Sequence, residues 1–171
     1  MDTRAPEAPR AAAERHVTAL YQAHALGLAR LALLMLGDSA AAQDVVQDAF
    51  LGLYVRWYKL ADIGAAPAYL RASVLNGCRT TLKKRSRPTP NDAWLPLESA
   101  EATLVHTEEQ RAVLAAVRRL PDRQREALVL RYYLDMTEDQ AARAMGISRG
   151  TVKSATSRAI AAIGRMLKED S

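Results

Sequence analysis

Apolar residues recur every three to four positions along most of the 171-residue chain, a spacing that predicts amphipathic helices. Three such stretches precede residue 88. The first ends at Gly37, Asp38 or Ser39 caps the second, and Pro67 suits the first turn of the third. Their apolar positions are Val17, Leu20, Tyr21, His24, Leu28, Leu31 and Met35; then Val46, Ala49, Phe50, Leu53 and Trp57; then Leu70, Val74, Cys78, Thr81 and Leu82. Together they predict a three-helix bundle.

Four more helices are expected after residue 107. The pattern Thr-x-x-Gln occurs at Thr107 and again at Thr137, and in each case it forms a capping box in front of a periodic apolar run. Pro121 ends the first of these helices, Gly146 ends the third, and Ser148 caps the last. A second helical module is therefore predicted.

The segment between the two modules has a different composition. Residues 88–107 hold three prolines, three acids and no base, whereas residues 1–87 hold twelve bases and seven acids, and residues 108–171 twelve bases and nine acids. A proline-containing stretch without periodicity is typical of a linker. We therefore predict an all-α protein of two small helical domains, residues 14–87 and residues 108–171, joined by a flexible acidic linker at 88–107.

Composition narrows the possible functions. The net charge of +5 suits a polyanionic partner, and a single cysteine excludes an internal disulfide, as in an intracellular protein. The N-terminus lacks an apolar core of signal-peptide length, and the longest apolar run, residues 25–36, is shorter than the roughly 20 residues that span a bilayer. No membrane insertion is expected.

The scattered histidines and the lack of hydrolase or phosphate-loop motifs also predict no catalytic residue, no metal and no cofactor.

The spacing of small and apolar residues from Ala142 to Val152 is typical of a helix-turn-helix. Ala142 permits close approach of two helices, Gly146 accepts a positive φ, and Ile147 fills the core between them. Arg149 and Lys153 lie one turn apart at the start of the second helix, where side chains reach base edges in a major groove. Ser154 is adjacent, and Arg158, a turn further on, is placed for a phosphate.

Two faces of the first module carry opposite charge. Residues 67–87 contain six bases and no acid, and Arg71, Asn76, Arg79 and Lys83 are expected to share a broad face suited to phosphates. Asp44, Gln47, Asp48 and Leu51 form an acidic and polar stripe on the second helix. From the residues alone, that stripe is either a solvated surface or a docking face for a basic protein.

Three segments resemble bacterial RNA polymerase sigma factors of the extracytoplasmic-function (ECF) type, which keep only regions 2 and 4. GDSAAAQDVVQDAFLGLYVRW and PAYLRASVLNGCRTTLKKR are similar to region 2, and LPDRQREALVLRYYLDMTEDQAARAMGISRGTVKSATSRAIAAI is similar to region 4. Among these factors, the chain is most similar to actinobacterial SigE-like subgroups.

The resemblance implies a cytoplasmic bacterial protein that is not an enzyme and that binds the β and β′ subunits of core RNA polymerase, promoter DNA and an anti-sigma factor. It assigns the following residues: Asp44, Gln47, Asp48 and Leu51 to polymerase docking; Asp62, Tyr69, Arg71, Asn76, Arg79 and Lys83 to the −10 element; and Arg149, Thr151, Lys153, Ser154 and Arg158 to the −35 element.

Two alternatives remain open at this point. A stand-alone helix-turn-helix regulator explains the second module but leaves the acidic stripe without a role. A small hydrolase that uses Cys78 would need an exposed thiol with a low pKa.

Overall fold

The computed structural model describes residues 7–85 and 107–171, and this part of the chain contains helices and turns but no strand. The all-α prediction is confirmed. We number the α-helices α1 to α7 in chain order: Glu7–Leu36, Ser39–Val55, Ala66–Lys84, Glu108–Arg119, Asp122–Leu128, Glu138–Met145 and Arg149–Glu169. Single 3-10 turns at Trp57–Lys59 and Ile63–Ala65 connect α2 to α3. The predicted linker, apart from Thr107, lies outside the described residues.

Helices α1, α2 and α3 form the predicted bundle. Its centre consists of fully buried side chains that include Leu31, Leu53, Leu70 and Val74, all on the faces that the apolar spacing selects. Tyr21 is an exception, because its side chain is 51% exposed and meets Phe50 edge-on, with ring centroids 5.0 Å apart. The periodicity therefore identifies the buried face correctly but places this edge residue too deep.

Helix α1 is longer than the sequence pattern indicates. It begins at Glu7, well before Val17, the first apolar position of the pattern. Its segment Pro9–Leu36 is long and apolar enough to cross a membrane by length and composition. The expectation that no apolar stretch reaches this length was wrong. The many alanines of α1 keep the helix apolar on average although charged residues interrupt it. That property is weak evidence for a span, because the core helix of a bundle has it too, and Leu31, Ala32 and Met35 of α1 are buried against the rest of the protein.

The helices of the second module begin and end close to the residues that the sequence predicts. Both capping boxes, at Thr107 and Thr137, are formed in full, and Gly146 ends α6 in the left-handed conformation with φ 66°. Between α5 and α6 the chain forms a π-helical segment, Val129–Tyr133, which the sequence pattern does not predict. The π-helical segment contacts α1 and α6, α5 lies against α7, and Leu130 of the segment is fully buried in the core.

The two modules pack against each other. Helix α1 contacts α4, α5 and the π-helical segment, and a continuous apolar cluster joins Leu28 and Val74 of the first module to Leu130 and Val152 of the second. Polar contacts cross the same boundary: Arg125 Nη1 donates to the Met35 carbonyl at 2.8 Å, and the Tyr133 hydroxyl donates to the Gly27 carbonyl at 3.1 Å. The structure is therefore a closed arrangement of the modules.

Helices α2 and α3 approach each other closely at Gly77. A Cβ at this position would lie 2.8 Å from Cγ1 of Val45, a β-branched side chain that is stiff on a helix. We expect Gly77→Ala to lower the free energy of unfolding by about 1–3 kcal/mol through overpacking. The loss should appear although alanine favours an isolated helix by about 1 kcal/mol over glycine.

Gly164→Ala on α7 is the matched control. Apart from the neighbouring residues and the backbone of its own helix, no heavy atom lies within 4 Å of the position that a Cβ would take. The substitution should raise stability by about 0.5–1 kcal/mol. Urea unfolding of both variants measures the difference in the free energy of unfolding, provided that the two transitions have the same dependence on urea concentration. A rise in stability for Gly77→Ala would contradict the close packing of α2 on α3.

Candidate functional site

The acidic stripe lies on the outer face of α2. Asp38 begins this helix by accepting a hydrogen bond from the Ala41 amide at 3.2 Å. The helix then buries one side, including Val46 and Leu53, and turns the other to solvent. All four residues assigned to docking are exposed: Asp44, Gln47, Asp48 and Leu51.

The stripe continues into an apolar patch that sequence reasoning missed. Leu51 is 62% exposed, and Val55 and Tyr58, further along in the chain, are 68% and 56% exposed. Large apolar side chains grouped on a surface are typical of protein-binding sites. Their spacing at positions 51, 55 and 58 was visible in the sequence and could have revealed them. The outer face of α2 thus offers an acidic half and an apolar half to a partner.

Two residues assigned to the −10 element have local structural roles. Asp62 Oδ1 accepts from the Gly64 amide at 2.9 Å and so caps the 3-10 turn before α3. Tyr69 is half-buried, and its hydroxyl oxygen accepts from Arg56 Nη1 at 3.4 Å. These contacts fix the loop that leads into α3.

Helix α3 presents Asn76, Arg79 and Lys83 on one face, together with Tyr69 near its start. Arg71 is exposed but lies about 140° around the helix axis from Asn76, because each residue turns the helix by about 100°. Arg71 lies about 80° from Arg79, at the edge of the predicted face, and its assignment to the −10 element stays a prediction. Asn76 and Lys83 are exposed, and Arg79 contacts the second module through Glu126.

Helices α6 and α7 form the predicted helix-turn-helix. The Ile147 amide donates to the Ala142 carbonyl at 3.1 Å across the turn, and Val152 is fully buried between the helices. Ser148 caps α7 by accepting from the Thr151 amide at 3.1 Å. All five residues assigned to the −35 element are exposed: Arg149, Thr151, Lys153, Ser154 and Arg158.

Arg149 is held by carboxylates at the start of α6. Its Nε donates to Glu138 Oε2 at 3.0 Å, and Asp139 Oδ1 lies 4.0 Å away. This hydrogen bond lowers the pKa of Glu138 and raises that of Arg149. The Arg149 side chain is 67% exposed, so water and salt screen this ion pair and it contributes little to stability. Glu138 therefore orients the Arg149 guanidinium, which can still leave it for a stronger hydrogen-bond acceptor.

The structure gives no support to cysteine chemistry. Cys78 is fully buried, and burial, followed by the charge of Glu126, raises the pKa of its thiol to about 12. A thiol that stays protonated at neutral pH is a poor nucleophile. Within residues 7–85 and 107–171, no group of three His, Cys, Asp or Glu side chains is placed to hold a metal ion.

Comparison with known families agrees with this division into two modules. A family profile described as "Sigma-70 region 2" matches residues 20–88, and one described as "Sigma-70, region 4" matches residues 110–163. The match to region 2 accounts for the half of the chain that a stand-alone helix-turn-helix regulator leaves without a role.

Individual relatives cover most of the chain. The RNA polymerase sigma-E factor of Streptomyces coelicolor is 37% identical over 78% of this chain and 76% of its own length. The ECF RNA polymerase sigma factor SigM of Mycobacterium tuberculosis is 33% identical over 86% and 75%.

Among solved structures, CnrH in complex with the cytosolic domain of CnrY is similar with a TM-score of 0.63 and 25% identity, covering 95% of this chain and 98% of that one. The sigma factor RpoE of Bartonella quintana, in complex with the anti-sigma factor NepR, has the same fold with a TM-score of 0.62 at 21% identity, covering 92% and 98%.

Two sigma-70 regions in the expected order, long matches to curated relatives, and a helix-turn-helix with an exposed basic face all agree. The chain therefore belongs to the ECF sigma factors, which associate with RNA polymerase and direct the initiation of transcription at promoters.

Proposed function

We propose that this sigma factor divides promoter recognition between its modules, with residues 14–87 docking on core polymerase and holding the −10 element, and residues 108–171 reading the −35 element. Residues 88–107 are the tether that lets the modules occupy separate sites. One observation carries the proposal: a single chain exposes an acidic and apolar stripe on α2 and separate basic faces on α3 and α7. Two DNA-facing surfaces and one protein-facing surface are what such an adaptor requires.

Docking on the β and β′ subunits is assigned to Asp44, Gln47, Asp48 and Leu51. Exposed carboxylates beside exposed apolar side chains favour a basic protein surface over DNA, because the phosphate backbone repels the carboxylates. Val55 and Tyr58 extend this surface. We include both residues in the docking site.

Strand capture at the −10 element is assigned to the α3 face and to the loop that Asp62 caps. Asn76, Arg79 and Lys83 supply hydrogen-bond donors for phosphate and base edges, and Tyr69 supplies an aromatic ring on which a base can stack. Arg71 lies at the edge of this face, is exposed, and is assigned to the same element. Capture of this kind replaces the pairing and stacking that strand separation removes.

Regulation by an anti-sigma factor is part of the proposal. Two structural relatives were solved bound to CnrY and to the anti-sigma factor NepR. The family works on soluble RNA polymerase, so we place this chain in the bacterial cytoplasm, as a subunit without an active site of its own.

Arg149→Ala tests the assignment of the second module. Loss of a bidentate contact to a guanine should reduce discrimination at one −35 base pair by roughly 1–3 kcal/mol. The measurement is transcription by the polymerase holoenzyme on a promoter and on templates with single −35 substitutions. The variant should transcribe the matched and the substituted template nearly equally.

Arg165→Ala is the control, because it removes the same charge from the exposed surface of α7 about four turns further along. It should keep the wild-type preference. An equal loss on every template with Arg149→Ala would show that Arg149 contacts phosphate and does not read a base.

A further inference from the structure

The donors of Arg79 are occupied across the boundary between the modules. Its Nε donates to Glu126 Oε1 at 2.7 Å, and its Nη2 contacts the same carboxylate oxygen and donates to the Ala144 carbonyl at 2.7 Å. Its Nη1 donates to Asn76 Oδ1 at 3.0 Å. Every nitrogen of the guanidinium therefore has a partner within the closed chain.

This contact is better shielded from water than the ion pair at Arg149, whose side chain is 67% exposed. The Glu126 side chain is 10% exposed and the Arg79 side chain 28%. Replacing one partner of a shielded ion pair leaves the other charge without compensation, which costs more than the same change at an exposed pair. Neutralising Glu126 is therefore expected to weaken the closed arrangement of the modules.

The same guanidinium belongs to the α3 face that the proposed function assigns to the −10 strand. A guanidinium recognises carboxylate and phosphate through the same fork of N–H donors. Because Glu126 and Ala144 already take the Nε and Nη2 donors, a phosphate cannot use them in the closed arrangement. Asn76 is also drawn into this contact through its side-chain oxygen.

We propose that the α3 face around Asn76 and Arg79 is an anion-binding surface with two mutually exclusive occupants: the Glu126 carboxylate of the second module and a backbone phosphate of single-stranded promoter DNA. The inference rests on the proposed function, since it takes Arg79 to be a DNA contact. In the closed chain, Glu126 stands in for the phosphate. DNA gains access only when the modules separate, and any partner that holds them apart exposes the surface.

The consequence for affinity follows from the population of the open state. If only a fraction of the chain is open, the apparent Kd for DNA rises in inverse proportion to that fraction. A substitution that weakens closure without touching α3 should therefore tighten DNA binding. That direction is unusual, because few single changes are expected to improve the affinity of a binding protein.

Glu126→Gln provides the test. It keeps the side-chain shape and removes the charge that pairs with Arg79. We expect about tenfold tighter binding of a fluorescein-labelled single-stranded oligothymidylate in fluorescence anisotropy, as the open fraction rises. X-ray scattering of the same variant should give a larger radius of gyration.

Glu109→Gln is the matched control, because it removes one acid from an exposed position on α4 of the same module. It should reproduce any general effect of net charge and leave the radius of gyration unchanged. If Glu126→Gln matches this control in both affinity and radius of gyration, the proposal is wrong.

Tyr133→Phe is a second, independent test for the case that Glu126→Gln does not fold. It deletes the cross-module hydrogen bond to the Gly27 carbonyl without a change of charge and without touching α3. A severalfold gain in oligothymidylate affinity is expected from the shift toward the open state. No gain would overturn the proposal. A wild-type chain that fails to support transcription with core polymerase would instead overturn the proposed function.

Discussion

Asp48→Arg should abolish promoter-dependent transcription by core polymerase while the chain stays folded. Asp48 is exposed in the acidic half of the α2 stripe, so its replacement disturbs no buried contact. A reversed charge against a basic docking surface costs several kcal/mol, and about 3 kcal/mol corresponds to a loss of roughly 100-fold in affinity. The measurements are run-off transcription and binding to core polymerase.

Glu169→Arg makes the same charge reversal at the exposed end of α7, away from the stripe, and should leave transcription near the wild-type level. Circular dichroism of both variants establishes that they fold. Full transcription with folded Asp48→Arg would show that the stripe is a solvated surface, as the residues alone allowed. The docking assignment would then have to move to another face.

Arg125→Met should produce the largest loss of stability. Arg125 is 8% exposed, and burial lowers the pKa of its guanidinium. It donates to the carbonyl oxygens of Met35, Val117, Arg118 and Leu120, and so satisfies the C-terminal ends of α1 and α4 together. Removal leaves buried acceptors without donors, and we expect a loss of about 3–5 kcal/mol in the free energy of unfolding.

Arg123→Met is the control on the same helix, since Arg123 is exposed two residues earlier. It should change stability by no more than about 0.5 kcal/mol, as exposed substitutions usually do. Thermal and urea unfolding compare the two variants. Similar stabilities would mean that the Arg125 hydrogen bonds contribute little beyond the apolar contacts around them.

Local features of the fold could be predicted because each depends on a few neighbouring residues. The capping boxes at Thr107 and Thr137, the stop at Gly146 and the apolar core of the helix-turn-helix all follow from side chains within one or two turns of each other. The apolar faces of α2 and α3 were also correct, because burial in a bundle follows helical periodicity.

Features that depend on distant residues could not be predicted. Arg125 and Glu126 belong to a polar stretch that reads as a solvated helix, yet both are buried, because their partners come from α1 and α3. The close approach at Gly77 likewise depends on Val45 of another helix. Sequence patterns predict which side of a helix is buried, but not which charged residues are drawn into an interface.

The assigned site shows the same limit. The exposed positions on α2 and α7 follow from periodicity, whereas the engagement of Arg79 depends on how the modules pack, which no local pattern encodes. Asp62 and Thr151, both assigned to DNA, also take part in capping contacts; the cap at Ser148 was predicted from the sequence, and the cap at Asp62 was not.

The most direct measurement adds the purified chain to core RNA polymerase on genomic DNA and sequences the 5′ ends of the transcripts. Two tethered modules that read separate elements should give new start sites, absent with core polymerase alone, each preceded by two shared sequence elements at a nearly constant separation. A folded chain that adds no start site, or start sites with only one shared element, would contradict this account.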